Sequence, residues 1–566
     1  MGKLEISNHF NKEDKKIIQA FRSGQQDQQS ADNCEEDKTS QADRLVEIGV
    51  KNSTLFHDDT KTPFAVIEVN DHHETWPIEL KKYRSRLVHQ YYESTGKAPG
   101  NESIRQALNV LEAKAVYDGE TKNLSLRVAK HDGAIYYDLA DDKWRTVKVE
   151  PGRWVVENNP PILFQRYQNT ASQVLPQKGG ILELLKKYVN LKHEGDWVLL
   201  VACLVSAFVP NIPHVISVFY GDKGSAKTTA QRVLKKIIDP AVLETMTLAD
   251  CKNELVLTLK NNYAPCFDNL DSLRPWQSDM LCQAATGGGI SKRQLYTDTD
   301  EIILSFYRCP LLNGINNVVT RDDLLDRSVL FQLERIDPEK RLEEAVLWEE
   351  FENDLPQILG AVFDILAEAM LVYPELDLKK LPRMADFARW GCAIAEAAGI
   401  GGNEFLAAYW SNIGSAVDEA IQADQVAAAI YDLMNEQNSW NGTATELLEK
   451  LSELPGVDAN NKGWPKRPHI LTRRINKMKS ALAEVGIKVD NSRTDDARYI
   501  ELSKDEEIES AISKGKVSEH DTSNQVEPEK RHENTKQASG ENALNNKDYD
   551  VNDAYDAFFD RPATCD

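Results

Sequence analysis

Apolar and polar positions divide the chain into stretches of different texture. Residues 1–43 are polar and charged with no apolar period, which predicts a disordered leader. From 44 to 175, RQALNVLEAKA (105–115) has helical spacing and precedes short runs, LSLRVAKHDG, AIYYDLADDK, WRTVKVEPG and RWVVENN, separated by turn residues. That pattern predicts a small α+β domain. Residues 176–338 alternate continuous apolar runs with helical patterns, as an α/β sheet with crossover helices does. Residues 339–423 read as helices, and 424–502 as three short helices, then a strand, a turn and a strand. Residues 503–566 are polar again, with 16 acidic and 8 basic residues, and read as a disordered tail up to a terminal aromatic motif. The expected fold class is α/β.

The chain is long enough for several cores: 566 residues with 41% hydrophobic and 28% charged side chains. Its formal charge of −23 excludes a uniformly basic nucleic-acid coat, not a local basic patch. The apolar run Trp197 to Pro210 is too short to span a membrane and fits a buried helix, so no membrane partner is expected. MGKLEISNHFNKEDKK lacks the apolar centre of a secretory signal. The eight cysteines (34, 203, 251, 266, 282, 309, 392 and 565) form no CxxC pair, which suits a reducing, cytoplasmic setting. YYDLADD (136–142) reads as turn chemistry between two strands rather than as a metal site.

The first chemical constellation follows HVISVFY (214–220), a run suited to a buried parallel strand. GDKGSAKTT (221–229) comes next, then the helical AQRVLKKIID. Strand, glycine loop and helix stand in the order of a P-loop. In such a loop the amides of Gly221, Lys223, Gly224, Ser225, Ala226, Lys227, Thr228 and Thr229 converge on phosphates at a helix N-terminus. Lys227 would reach the β- and γ-phosphates of ATP, and Thr228 would hold Mg²⁺. Ala226 stands where glycine is usual, which is tolerable if that residue has helical dihedrals.

Asp268, at the end of the short apolar run in YAPCFDNLDSL (263–273), would complete the Mg²⁺ site through water. Asn269 follows it where a general base is wanted, so Asp271 is the candidate base. EIILSFYRCPLLNGIN (301–316) reads as a third strand whose polar tip, Asn313, would meet the γ-phosphate. Arg327, in TRDDLLDRSVLFQLERI (320–336), would project into a neighbouring subunit's nucleotide site, with Arg321 as the alternate.

GDKGSAKTT, CFDNLD, TGGGISKRQLYTDTDE, LLNGIN and LLDRSV, in that order, resemble the AAA+ ATPase module of superfamily 3 helicases. They are more similar still to the helicase half of primase-helicases from phages and plasmids. The likeness runs from RVAKHDGAIYYDLADDKW (127–144) through MADFARWG (384–391) to about residue 500. It implies an AAA+ core and a homo-hexameric ring that moves on DNA. No primase site is recognisable, so a primase would be a separate partner.

Two regions are candidates for DNA contact. TGGGISKRQLYTDTDE (286–301) would face the pore of a ring, with Lys292 and Arg293 on phosphates and Tyr296 stacked on a base of single-stranded DNA. The alternative for Lys292 and Arg293 is nucleotide sensing in a neighbouring subunit. Residues 424–502 have the helix and hairpin order of a winged-helix domain. From Trp464 to Ile500 there are nine basic and four acidic residues. Arg473 and Lys477, with Arg474 beside them, would lie on duplex phosphates, and Arg493 and Arg498 would sit on the wing. In the terminal VNDAYDAFFDRPATCD, the spacing of Asn552, Tyr555, Phe558 and Phe559 resembles a sliding-clamp-binding box, or a tail of the kind used by single-strand-binding proteins.

The expected activity is that of an ATP-dependent DNA helicase or translocase acting in replication of a virus, plasmid or integrated element. Ala226 and Asn269 keep open a second possibility, a nucleotide-controlled DNA-binding initiator with little turnover. A partner-remodelling ATPase is the third, disfavoured because no peptide-gripping aromatic pore motif is present.

Overall fold

The computed structural model describes residues 39–293, 301–305, 307–319, 321–379, 381–461, 463–493 and 498–504, all in one unit that ends at Glu509. Tyr296, Asn552, Tyr555, Phe558 and Phe559 lie outside the described residues, as do nearly all of the expected leader and tail.

The first helix, α1 (Gln41–Lys51), starts at Ser40, whose hydroxyl accepts from the Asp43 amide at 3.1 Å and satisfies a donor the helix leaves open. β1 (Ser53–His57), β2 (Pro63–Val69) and β3 (His72–Pro77) follow, then α2 (Lys81–Thr95), α3 (Asn101–Tyr117) and the short β4 (Glu120–Thr121). The sheet order is β3-β2-β1-β4, with β4 parallel to β1. Leu45, Tyr83, Leu87, Tyr91, Ile104 and Leu111 bury the three helices against Ala65, Ile67 and Trp76 of the sheet.

Next come β5 (Leu124–Ser125) and an antiparallel meander: β6 (Val128–His131), β7 (Ala134–Asp138), β8 (Thr146–Glu150) and β9 (Arg153–Glu157). The two-residue β10 (Leu163–Phe164) returns to pair with β5. The sequence grouped everything from 44 to 175 as one domain, but the buried side chains fall into separate cores. The apolar face of the meander joins the helices that come after residue 182: Tyr137 packs on Phe208 and Phe363, and Trp154 on Phe363. Trp154 Nε1 also donates to Asp364 at 2.7 Å. A four-stranded meander has two faces and must cover one, and the large aromatic residues select which.

The central part contains α4 (Asp196–Ser206), β11 (Ile216–Tyr220), α5 (Lys227–Ile238), α6 (Lys252–Asn261), β12 (Cys266–Leu270) and α7 (Pro275–Thr286). β13 (Gly289–Arg293), β14 (Glu301–Ser305), β15 (Leu311–Gly314), α8 (Asp322–Leu325) and β16 (Ser328–Gln332) complete it. The sheet is wholly parallel, in the order β12-β15-β11-β16. β11 lies between two neighbours and is covered on both faces, which is why its run is apolar without alternation. The single strand read over 301–316 is two strands: β14 pairs with β13 in a hairpin, and β15 enters the parallel sheet.

α9 (Glu344–Val372), α10 (Ala385–Ala397) and α11 (Gly402–Ala423) follow. By length and apolarity the helix that begins with α9 is sufficient to cross a membrane. Its apolar residues instead pack with α4 and α10, with Phe351, Leu359, Phe363 and Leu366 fully buried.

The last part holds α12 (Gln425–Glu436), β17 (Ser439–Thr443), α13 (Ala444–Ser452), α14 (Pro468–Lys477), α15 (Lys479–Glu484), β18 (Ile487–Arg493) and β19 (Arg498–Lys504). The antiparallel order is β17-β19-β18. The basic stretch is divided at Met478, where α14 ends and α15 begins. The strand β17 and the helix α12 add to the elements expected there. The chain is thus a mixed α/β protein.

Candidate functional site

The loop between β11 and α5 is shaped by its backbone. Gly221 has φ 145°, and a Cβ there would lie 2.5 Å from the Leu333 carbonyl oxygen. Only glycine fits between β11 and the chain leaving β16. Ser225 Oγ donates to the Asp222 carbonyl at 2.9 Å and tightens the turn. Ala226 then adopts φ 58° and ψ 32°, a left-handed conformation. The helical dihedrals hoped for at this alanine are helical of the wrong hand. An L-residue there costs about 1–2 kcal/mol, because Cβ crowds the carbonyl. The loop keeps the path that glycine would give it, at the expense of strain.

Lys227 opens α5, and its Nζ donates to the carbonyls of Gly221 (2.7 Å) and Asp222 (2.9 Å). Partial burial lowers its pKa against the opposing pull of Asp222 and Asp268. One residue on, Thr228 Oγ1 donates to Asp268 Oδ1 at 3.2 Å. The start of α5 and the end of β12 therefore meet at a hydroxyl and a half-exposed carboxylate. Lys223, Gly224 and Thr229 complete the turn and the first helical residues. Asp271 is exposed beyond the end of β12. Among the described residues no three His, Cys, Asp or Glu side chains converge, so a cation at Thr228 and Asp268 would need further oxygens from a ligand.

Asn313, expected as an open strand tip, is buried, with 2% of its surface exposed. Its Oδ1 accepts from the Asn269 amide at 2.9 Å, and its Nδ2 donates to Gln231 Oε1 at 2.8 Å. Gln231 in turn donates to the carbonyls of Phe267 and Leu311. Asn313 thus clamps β12, β15 and α5 together and fixes Asn269 in a left-handed conformation, φ 58°. The polar residue just past the strand is Asn316. It is exposed and lines a cleft of about 450 Å³ with Tyr220, Gly221, Asp222, Gln332 and Arg335. LLNGIN contains both asparagines, and the strand itself ends at Gly314, between them.

Arg327 lies just after α8 with its side chain 17% exposed, Nη1 on the Asp323 carbonyl at 2.5 Å, and Nε buried without a partner. Arg321 pairs with Asp279 at 2.8 Å. Arg383, which the sequence reading passed over, pairs with Asp326 at 2.6 Å and Asp323 at 3.5 Å and is 46% exposed. Each of the three is held by its own chain.

Lys292 and Arg293 lie on β13, opposite Ile302 and Glu301 of β14, toward the far end of the hairpin. On α14, Arg473 and Lys477 are exposed one turn apart. Arg474 differs from its expected place on the same surface: it pairs with Asp424 at 2.8 Å and donates to the Gly463 carbonyl, fastening α14 to the start of α12. Arg493 and Arg498 face each other across β18 and β19, at the last described pair before the turn.

A buried ion network anchors the C-terminal end of α5, the end away from the loop. Lys235 of α5 and Arg127 both reach Asp239, at 2.7 and 2.9 Å. Burial alone would raise the Asp239 pKa, but the two cations hold it well below the usual carboxylate range. Asp138, in the turn segment YYDLADD, pairs with Arg166 at 2.6 Å, so this carboxylate has a structural partner, as the turn reading requires.

Comparison with known proteins adds the biological setting. Residues 182–419 match the family model of the actinomycete integrative conjugative element replication protein, and residues 426–519 match the model of the C-terminal domain of that family's RepA. No curated protein matches the chain. Among solved structures, an apo form of the NrS-1 C-terminal region is 14% identical, covering 83% of this chain and 100% of that one, with a TM-score of 0.37. Its A form is 13% identical over 81% and 98%, with a TM-score of 0.38. JCV helicase with a bound acetamide compound is 12% identical over 42% of this chain and 63% of that one, with a TM-score of 0.22. Likenesses this small carry no chemistry across. In sequence, over 182–419 and then 426–519, the chain is similar in two consecutive parts to a replication protein of a mobile element.

Proposed function

We propose that this chain is an ATP-dependent DNA helicase or translocase that serves replication of an integrated or conjugative element. The observation that carries this reading is the Thr228–Asp268 contact of 3.2 Å beside the Lys227 ammonium. A hydroxyl at the start of a helix and a carboxylate at a neighbouring strand end suit a Mg²⁺ bound with nucleotide phosphates. The metal would supply charge neutralisation at the β- and γ-phosphates. Loop amides from Gly221 to Thr228 would bind the phosphate oxygens, and Lys227 would transfer its hydrogen bonds from loop carbonyls to phosphate. Asp271 would accept a proton from the attacking water, Asn269 would orient that water, and Asn316, in the cleft beside Gly221 and Asp222, is a second polar group near the loop.

In this reading the core is a P-loop AAA+ ATPase, preceded by an α+β domain and followed by a helical region and a winged-helix domain. A homo-hexameric ring would place Arg327, or Arg321, against the next subunit's nucleotide. The hairpin with Lys292, Arg293 and Tyr296 would grip single-stranded DNA in the pore. Arg473 and Lys477, with Arg493 and Arg498 at the hairpin tip, would bind duplex phosphates. A separate primase and a clamp or single-strand-binding partner at Asn552, Tyr555, Phe558 and Phe559 belong to the same proposal.

The strained Ala226 favours a second reading, a nucleotide-locked initiator that turns over slowly. ATP hydrolysis by the purified chain, with and without single-stranded DNA and beside Lys227→Ala, separates the two. DNA-stimulated turnover lost in the variant supports the motor. ATP binding with negligible turnover supports the initiator, and ATPase unchanged by Lys227→Ala rejects both.

A further inference from the structure

The N-terminal domain presents a basic helix that the nucleotide site does not use. α2 carries Lys81, Lys82, Arg84 and Arg86 against a single acid, Glu93, in a chain whose net charge is −23. Tyr83, Leu87 and Tyr91 face the core, which turns Lys81, Ser85, His89 and Tyr92 outward on one stripe. Tyr92 is 57% exposed, so its ring is open to a partner on that stripe. The lysines do not serve the helix itself. They lie in its first turn, where the dipole disfavours cations, and that turn contains no acid and no side-chain cap. The flanking side chains are preset: Lys82 rests 2.9 Å from Glu74 and over the Trp76 ring, and Arg84 Nη2 donates to Asn101 Oδ1 at 3.2 Å. His89 lies 3.6 Å from Glu93. From Lys81 to Tyr92 the stripe runs about 16 Å, enough for a few nucleotides.

We propose that this face of α2 binds single-stranded DNA, with Lys81 and Arg84 on phosphates and Tyr92 stacked on a base. Cations that track a backbone, with an exposed ring beside them, are what sequence-tolerant single-strand binding needs. A duplex keeps its bases stacked inside and would leave Tyr92 without a role. This contact is independent of the β13–β14 hairpin and of α14.

The test uses the full chain carrying Arg473→Ala and Lys477→Ala, so that α14 does not dominate the signal. Fluorescence anisotropy of labelled oligothymidine and of a duplex is followed over a range of salt. Lys81→Glu with Arg84→Glu is expected to weaken oligothymidine binding at least tenfold at low salt and to flatten the log–log salt slope by about 1.4, for two phosphates. Tyr92→Ala is expected to lose about 5- to 100-fold, and Tyr92→Phe to retain most of the affinity, since a ring stacks without its hydroxyl. Unchanged oligothymidine affinity in the charge-reversed chain, a loss confined to the duplex, or a Tyr92→Phe loss equal to that of Tyr92→Ala would overturn the proposal.

Discussion

Asn313 and Gln231 share a hydrogen bond of 2.8 Å, Nδ2 to Oε1, with both side chains buried between the parallel sheet and α5. Each carboxamide also binds backbone, so removing one leaves the other unsatisfied. Asn313→Ala is expected to destabilise the fold by about 2–3 kcal/mol, the penalty for orphaned buried polar groups. Asn316→Ala, at an exposed residue, should leave stability within about 0.5 kcal/mol and lower ATP turnover. Denaturant unfolding beside steady-state hydrolysis separates the two. A stable Asn313→Ala chain with slow turnover would return the phosphate-sensing role to Asn313.

Ala226 gives a prediction of opposite sign. Glycine removes the left-handed strain of about 1–2 kcal/mol but adds freedom to the unfolded chain, at about 0.4–1 kcal/mol. Ala226→Gly should therefore be neutral to slightly stabilising, and should tighten ATP binding several-fold by relaxing the loop. Calorimetric titration with a slowly hydrolysed ATP analogue reads this directly, and weaker binding would mean that the strained loop is the better cradle.

Arg474 and its neighbours divide by role. Arg474→Ala should lower stability by up to about 1 kcal/mol, a modest figure because the pair with Asp424 is partly exposed, and should leave duplex affinity intact. Arg473→Ala with Lys477→Ala should do the reverse, reducing the slope of log affinity against log salt by about 1.8 for two phosphates of B-DNA. Equal duplex affinity in the double variant would remove α14 from the DNA interface.

His214 sets an acid limit on the fold. It is fully buried beside Tyr263 and near Arg308, and burial pushes its pKa down to about 3. The unfolded chain takes up a proton near pH 6.5 that the folded chain refuses, so this stability is intact above 6.5 and declines as pH falls toward 3. Between pH 6.5 and 5 the loss is about 2 kcal/mol. Urea unfolding at pH 7 and pH 5 should show this drop, and His214→Gln should reduce it. An unchanged pH dependence in His214→Gln would assign the loss elsewhere.

The sequence made some of this legible and hid the rest for physical reasons. HVISVFY announced β11 because a strand covered on both faces has no polar alternation. The glycine loop between β11 and α5, and Asp268 on β12, could be placed on their elements by order and type. Asn313 was read as a polar strand tip, and its burial against Gln231 and Asn269 was not legible, because a strand tip and a buried clamp look alike in one dimension. EIILSFYRCPLLNGIN was read as one strand because nothing local marks where a chain leaves a hairpin and enters another sheet. Arg474 looked like its neighbours Arg473 and Lys477 until the fold brought Asp424 against it from 50 residues away.

The meander β6–β9 bears on how this protein is cut into pieces. A fragment starting at residue 176, the boundary that the sequence texture suggests, would lack Val128, Ile135, Tyr137, Val147 and Trp154 and bare the surfaces of Phe208 and Phe363 to water. It would also lose Arg127, leaving Asp239 with Lys235 as its one remaining ion-pair partner among the described residues. Such a fragment should aggregate on expression, whereas one beginning near Leu124 retains both the aromatic cover and the buried arginine. The smallest piece that keeps this core closed therefore starts near Leu124, some fifty residues before the boundary that the sequence texture suggests.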